Sequence, residues 1–185
     1  MKTLNLAVAT LVLSLAVLAP AAAIAAPAEC TPAGDCTKYK NRVTFPAHAL
    51  SYGPAAAFAL HARGVDWLGS PGNLTLTVRR PLDFHGNKVR LTLVHQTASA
   101  GGDEGTLIFP VTAIAFHHGS GFETYGGFFS DTLNVPGDPT GLYEQSVVVE
   151  PGQGWNATSP WWYFEFNRQG TYVDKVRIMA VVLEY

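Results

Sequence analysis

Two cysteines in 185 residues, Cys30 and Cys36, are all this chain offers for thiol chemistry. A metal site built on cysteine needs further thiolates, so the sequence supports one short disulfide at most. Charge is also scarce. Only 14% of residues are charged, and 12 Lys and Arg face 14 Asp and Glu, for a formal charge of -2. That balance argues against a nucleic-acid partner and against an anionic membrane surface. Nucleotide-binding loops are missing, since no Gly-x-Gly-x-x-Gly opens a helix and no Gly-Lys-Ser/Thr occurs. The Gly-x-Ser-x-Gly nucleophile elbow is missing too, and Ser120 in Gly119-Ser120-Gly121 sits in no strand-turn-helix unit. Helical periodicity is almost absent, which excludes bundles, coiled coils and doubly wound α/β folds.

What is present begins with an export signal. Lys2 precedes an apolar run from Leu4 to Leu18, then Pro20, then Ala23-Ile24-Ala25 followed by Ala26. A charged start, an apolar stretch too short to span a bilayer comfortably and a small-residue cleavage site predict a signal peptide over 1–25, cut after Ala25. No membrane span is expected after cleavage, and the location is secreted or periplasmic. The remaining chain of about 160 residues suits one domain with its own core. Residues 26–50 read as an amino-terminal arm carrying the Cys30/Cys36 loop. Thr31-Pro32-Ala33-Gly34-Asp35 between the two cysteines is turn-forming, and disulfides persist in that compartment.

Residues 51–185 read as strands. Asn73 to Arg79 alternates Leu74, Leu76 and Val78 against Thr75, Thr77 and Arg79, which predicts one buried and one wet face. Lys88 to Gln96 repeats the pattern with Val89, Leu91 and Leu93 inward. Pro54 to Ala62 has helix propensity but also alternates, and is assigned as a strand. Trp67 to Gly72 and Asp131 to Leu142 read as turn and loop, Thr106 to His117 as a strand with a bulge or edge at Pro110, and Gln145 to Glu150 as a Val-rich strand. Trp161 to Arg168 and Tyr172 to Tyr185, joined at Gln169-Gly170, read as a closing hairpin. Short strands with regular turn signals predict an all-β, antiparallel β-sandwich of jelly-roll type in a single domain.

Three elements carry a resemblance. Pro81-Leu82-Asp83-Phe84-His85-Gly86 leads into the strand Lys88 to Val94, an aromatic strand ends in Arg168, and Val181-Val182-Leu183-Glu184-Tyr185 closes the chain. The pattern resembles jelly-roll or sandwich domains of phage tail and virion proteins and of small secreted bacterial β proteins. It implies a non-enzymatic surface or binding module, with no catalytic residue carried over. An exported leader is foreign to a virion component.

Candidate chemistry is sparse. His117, His118 and Glu123 faintly resemble a cupin metal box, yet adjacent strand residues point to opposite faces and the second box is missing. His48, His61, His85 and His95 are scattered and read as surface or edge residues. Glu165 has a ready cross-strand partner in Lys175 or Arg177 if the closing hairpin forms. Neither a catalytic residue, a metal ligand nor a cofactor is assigned. The candidate site is an aromatic strip. Alternation puts Trp162, Phe164 and Phe166 on one face and Trp161, Tyr163, Glu165 and Asn167 on the other, with Trp155, Asn156 and Tyr125 as loop extensions. Ring faces beside hydrogen-bonding groups suit a sugar or a protein surface. The expected function is therefore a secreted binding module for a glycan or protein surface. Its alternatives are a structural or assembly protein of a cell surface or virion-like particle, and a cupin-like metal-dependent enzyme.

Overall fold

A computed structural model describes residues 39–68, 72–97, 104–116, 126–129, 132–135, 141–151 and 155–185. The two strands read from sequence as a closing hairpin end up at the centres of two different sheets. In the front sheet, β12 (Trp161–Asn167) lies between β5 (Asn73–Arg79) and β8 (Pro110–Phe116), flanked outward by β2 (Ser51–Gly53) and β9 (Gly126–Phe129). In the back sheet, β13 (Val176–Glu184) pairs along one edge with β6 (Val89–Thr97), which in turn pairs with β11 (Leu142–Val149). The other edge of β13 is shared. Its first part pairs with β4 (Gly64–Trp67), itself joined to β3 (Phe58–His61), and its last part pairs with β1 (Arg42–Pro46). A register shift between Ile178 and Ala180 marks the point where the partner changes, as a bulge that re-aims a strand would. A small pair, β7 (Gly105–Leu107) with β10 (Leu133–Val135), stands apart from both sheets.

All of these pairings are antiparallel. The long strands β5, β6, β8, β11, β12 and β13 alternate front, back, front, back, front, back, and this crossing between layers makes the sandwich a jelly roll. Inward-facing side chains follow the period of two. Leu74, Leu76, Trp162, Phe164 and Phe166 from the front sheet meet Leu91, Leu93, Val147, Ile178, Val181 and Leu183 from the back in one buried cluster. Each such side chain contributes about 1.5–3 kcal/mol through burial.

Several expectations are corrected. The closing hairpin does not form, because β12 and β13 belong to opposite sheets. Between them the chain wraps around the buried Arg168. One of its guanidinium nitrogens, Nη2, donates to the carbonyls of Tyr172 and Asp174, both at 2.6 Å. Those bonds hold the crossover open where a tight turn would have folded it back. Gly170 has φ +107, and a Cβ there would lie 2.1 Å from the Thr106 carbonyl oxygen, so the crossover also needs glycine. Glu165 accordingly faces Thr75 and Thr112 in register, and Arg177 pairs with Asp66 at 2.6 Å within the back sheet.

The sandwich also starts earlier than residue 51, since β1 is part of the back sheet and Ala47 and Leu50 are core residues. Trp67 is fully buried at the end of β4 and does not open a turn. The Ala-rich stretch divides into a 3-10 turn at Ala55–Ala57 and then β3. Pro110 opens β8, where its missing N–H is tolerated, and β10 falls inside the stretch read as loop. His95 is wholly buried and not a surface residue. The signal-peptide residues and Cys30 and Cys36 lie outside the described residues. Among those described, no helix is long and apolar enough to cross a membrane.

Candidate ligand-binding face

β12 builds the outer face of the front sheet from its odd-numbered residues. Trp162, Phe164 and Phe166 are at most 1% exposed, so the residues between them must point away from the core. Trp161 is 47% exposed, while Tyr163, Glu165 and Asn167 are partly covered by their neighbours. Register sets those neighbours. Arg79, Trp161 and Phe116 make one cross-strand row, and Thr77, Tyr163 and Ile114 the next. The third row is Ser51, Thr75, Glu165 and Thr112, and the fourth brings Asn73 beside Asn167. The face therefore grades from aromatic and basic at one end to amide, hydroxyl and carboxylate at the other. From Trp161 to Asn167 it runs about 20 Å, at about 3.4 Å per residue.

A short hydrogen-bonded chain fixes its middle. The Tyr163 hydroxyl donates to Glu165 Oε2 at 2.9 Å, and Asn167 Nδ2 donates to Glu165 Oε1 at 3.3 Å. The Tyr163 ring meets Phe116 edge-on, with centroids 6.3 Å apart. Burial, followed by the bond to Glu165 and its charge, pushes the Tyr163 phenol up to about 12. Its proton therefore stays in place at neutral pH, and the hydroxyl serves as a donor aimed along the face.

Of the residues assigned from sequence, Trp161, Tyr163, Glu165 and Asn167 share the outward face of β12. Trp155 does not join them. It is 3% exposed and packs on Trp162 with centroids 5.7 Å apart, inside the sandwich. The cause is local. Asn156 Oδ1 accepts from the Thr158 backbone N–H at 2.9 Å and from the Thr158 hydroxyl at 2.8 Å, and Arg80 Nη1 donates to the Thr158 carbonyl at 2.9 Å. This tight turn, anchored to the start of β12, folds Trp155 beneath the sheet. Tyr125 lies outside the described residues, as do Ser120, His117, His118 and Glu123. Among the described residues no three His, Cys, Asp or Glu side chains cluster as a metal site would require. Sequence reasoning did not bring Asn73, Arg79, Thr112, Ile114 and Phe116 to this face. The wet side of β5 was visible in its alternation, but its position beside β12 was not.

No protein-family model matches the sequence, and no curated protein matches it either. Among solved structures, a chain described as the xylan-binding module CBM15 aligns with a TM-score of 0.47 and 14% identity, over 78% of this chain and 95% of that one. Likeness at that level identifies neither a family nor a ligand.

Proposed function

We propose that this protein is an exported carbohydrate-binding module that holds an extended glycan along β12 and leaves it chemically unchanged. The observation that carries the reading is Trp161, a large ring 47% exposed on a sheet face where its strand neighbours supply fixed polar groups. An exposed indole costs solvation unless a ligand covers it, and the C–H face of a sugar ring is a fitting cover. Beside the ring, the Tyr163 hydroxyl oxygen and the Glu165 carboxylate offer acceptors and Asn167 an amide, all held in place by the bonds among them, a mix that matches sugar hydroxyls. A face about 20 Å long suits an oligomer and is far larger than one sugar needs. A sheet held by ladder hydrogen bonds is also rigid, which lowers the ordering cost of binding.

The test is retention in affinity gels containing different polysaccharides. Trp161→Ala is expected to weaken binding about 30-fold, as loss of an anchoring residue worth about 2 kcal/mol would. Circular dichroism and melting temperature should stay unchanged. Undiminished retention of the folded variant would refute the reading. Export is proposed on the leader alone, and sequencing the amino terminus of the secreted protein should begin at Ala26; an intact Met1 on the exported chain would contradict it.

A further inference from the structure

The two adjacent arginines at the end of β5 have different jobs. Arg80 is committed to the fold, with its backbone N–H donating to the Pro160 carbonyl at 2.9 Å and its guanidinium to the Thr158 carbonyl at 2.9 Å. Arg79 points to the other side of the sheet, as strand alternation requires, and is exposed directly opposite Trp161. Among the described residues no carboxylate pairs with it and no ring stacks on it. Its five N–H donors thus stand at the margin of the exposed indole. The negative group of the face, Glu165, is four residues further along β12, about 14 Å away at about 3.4 Å per residue. That distance exceeds the screening length of about 8 Å at physiological ionic strength. Both Glu165 oxygens already accept bonds from Tyr163 and Asn167. Among the described residues the face therefore has a polarity, with an uncommitted cation at the aromatic end and a committed anion near the other.

We propose that Arg79 reads an acidic sugar: the glycan carries a uronate carboxylate beside the ring that stacks on Trp161, and Arg79 takes it in a two-pronged hydrogen bond. This rests on the glycan-binding reading above. A planar guanidinium matches the paired oxygens of a carboxylate, and an arginine left exposed beside an aromatic anchor is well placed to select by charge. Sulfate esters present similar paired oxygens. They are separated from uronates by the ligands used in the test.

The experiment titrates the mature protein with soluble glucuronate-bearing polysaccharides, each compared with the same preparation after its carboxyl groups are reduced to alcohols. The native polymer should bind about three- to tenfold more tightly at low salt, with the difference shrinking as salt is added. Arg79→Gln should abolish the difference and keep the affinity for the reduced polymer, whereas Arg80→Gln should preserve it. Equal binding of native and reduced polymer by the unaltered protein overturns the assignment while leaving the aromatic face intact. So does loss of the preference in Arg80→Gln, or equal competition by a sulfated polymer of unrelated backbone, since either would reduce the effect to diffuse charge. If no polysaccharide is retained and Trp161→Ala changes nothing, the underlying reading fails and the assignment falls with it.

Discussion

His95 should make the stability of this protein fall as the solution is acidified from about pH 6.5 to pH 4. The imidazole is fully buried, with the Phe109 ring edge-on at 5.2 Å and Tyr143 stacked at 5.8 Å. Gln145 fixes its tautomer. The Gln145 Nε2 donates to the Leu107 carbonyl at 3.0 Å, so its Oε1 faces His95 and accepts from Nε2–H at 2.9 Å. Nδ1 is then the bare nitrogen, buried without a hydrogen-bond partner among the described residues. A second proton would have to sit on Nδ1, in an apolar setting and under the field of the Arg168 guanidinium. Burial, with the Arg168 charge adding to it against the bond to Gln145, lowers the imidazole from 6.5 to about 4. The folded value lies below the unfolded one, so the unfolded chain takes up this proton first. Stability is intact above the unfolded value and is lost as pH falls toward the folded one. At 1.36 kcal/mol per pH unit, the span from 6.5 to about 4 amounts to about 3 kcal/mol. Most domains have only about 5–15 kcal/mol in total. Urea unfolding followed by tryptophan fluorescence at pH 7.5, 5.5 and 4 measures it, with His95→Leu as the comparison. The variant should be less stable at neutral pH, because it removes the hydrogen bond between His95 and Gln145, but it should lose about 3 kcal/mol less than the unaltered protein across that range. Arg177 holds the Asp66 carboxyl below its ordinary value, so that contribution disappears only at lower pH and is shared by both proteins. Parallel pH profiles for the two would refute the reasoning.

Two further outcomes separate core from face. Trp155→Ala should cost about 3–5 kcal/mol in a denaturant melt, through the cavity left against Trp162, while glycan affinity measured on the folded fraction is unchanged. Lost affinity at full stability would put this ring on the ligand face after all. Gly170→Ala should destabilise by about 3 kcal/mol or more, since the Thr106 carbonyl must move aside and a positive φ must be held by a residue with a Cβ. A neutral result in the same melt would mean that the crossover is not constrained as described.

The faces of the strands were legible in the sequence, because period-two alternation is a property of one strand and needs no partner. Leu74 and Leu76, Val89, Leu91 and Leu93, and Trp162, Phe164 and Phe166 all point inward as their spacing implies. His95 sits on the same alternating row as Leu91 and Leu93, so the row itself signalled burial. Its polarity suggested the surface, and what overrode that was a buried partner, Gln145, contributed from another strand. Trp155 had no row to belong to. A residue in a loop takes its direction from the turn that follows, and here that turn depends on Arg80, 78 residues before the Thr158 carbonyl it holds.

Strand partners were not legible, and the closing pair shows why. Gly170 after Gln169 is the signal of a tight hairpin, and an aromatic strand followed by a Val-rich one makes a plausible pair. The same glycine also serves a crossover, where the backbone comes within van der Waals distance of Thr106 and must take a positive φ. What decides between the two is Arg168. A guanidinium buried in a tight hairpin would find too few acceptors, whereas in the crossover it takes the carbonyls of Tyr172 and Asp174. Sending β13 to the back sheet leaves both edges of β12 open to β5 and β8, so the aromatic strand lies in the middle of the front sheet. Had the hairpin closed, one edge of β12 would be taken by β13, and Trp161 could not have both Arg79 and Phe116 beside it. The charge and aromatic gradient of the candidate face is thus a consequence of how the chain leaves β12.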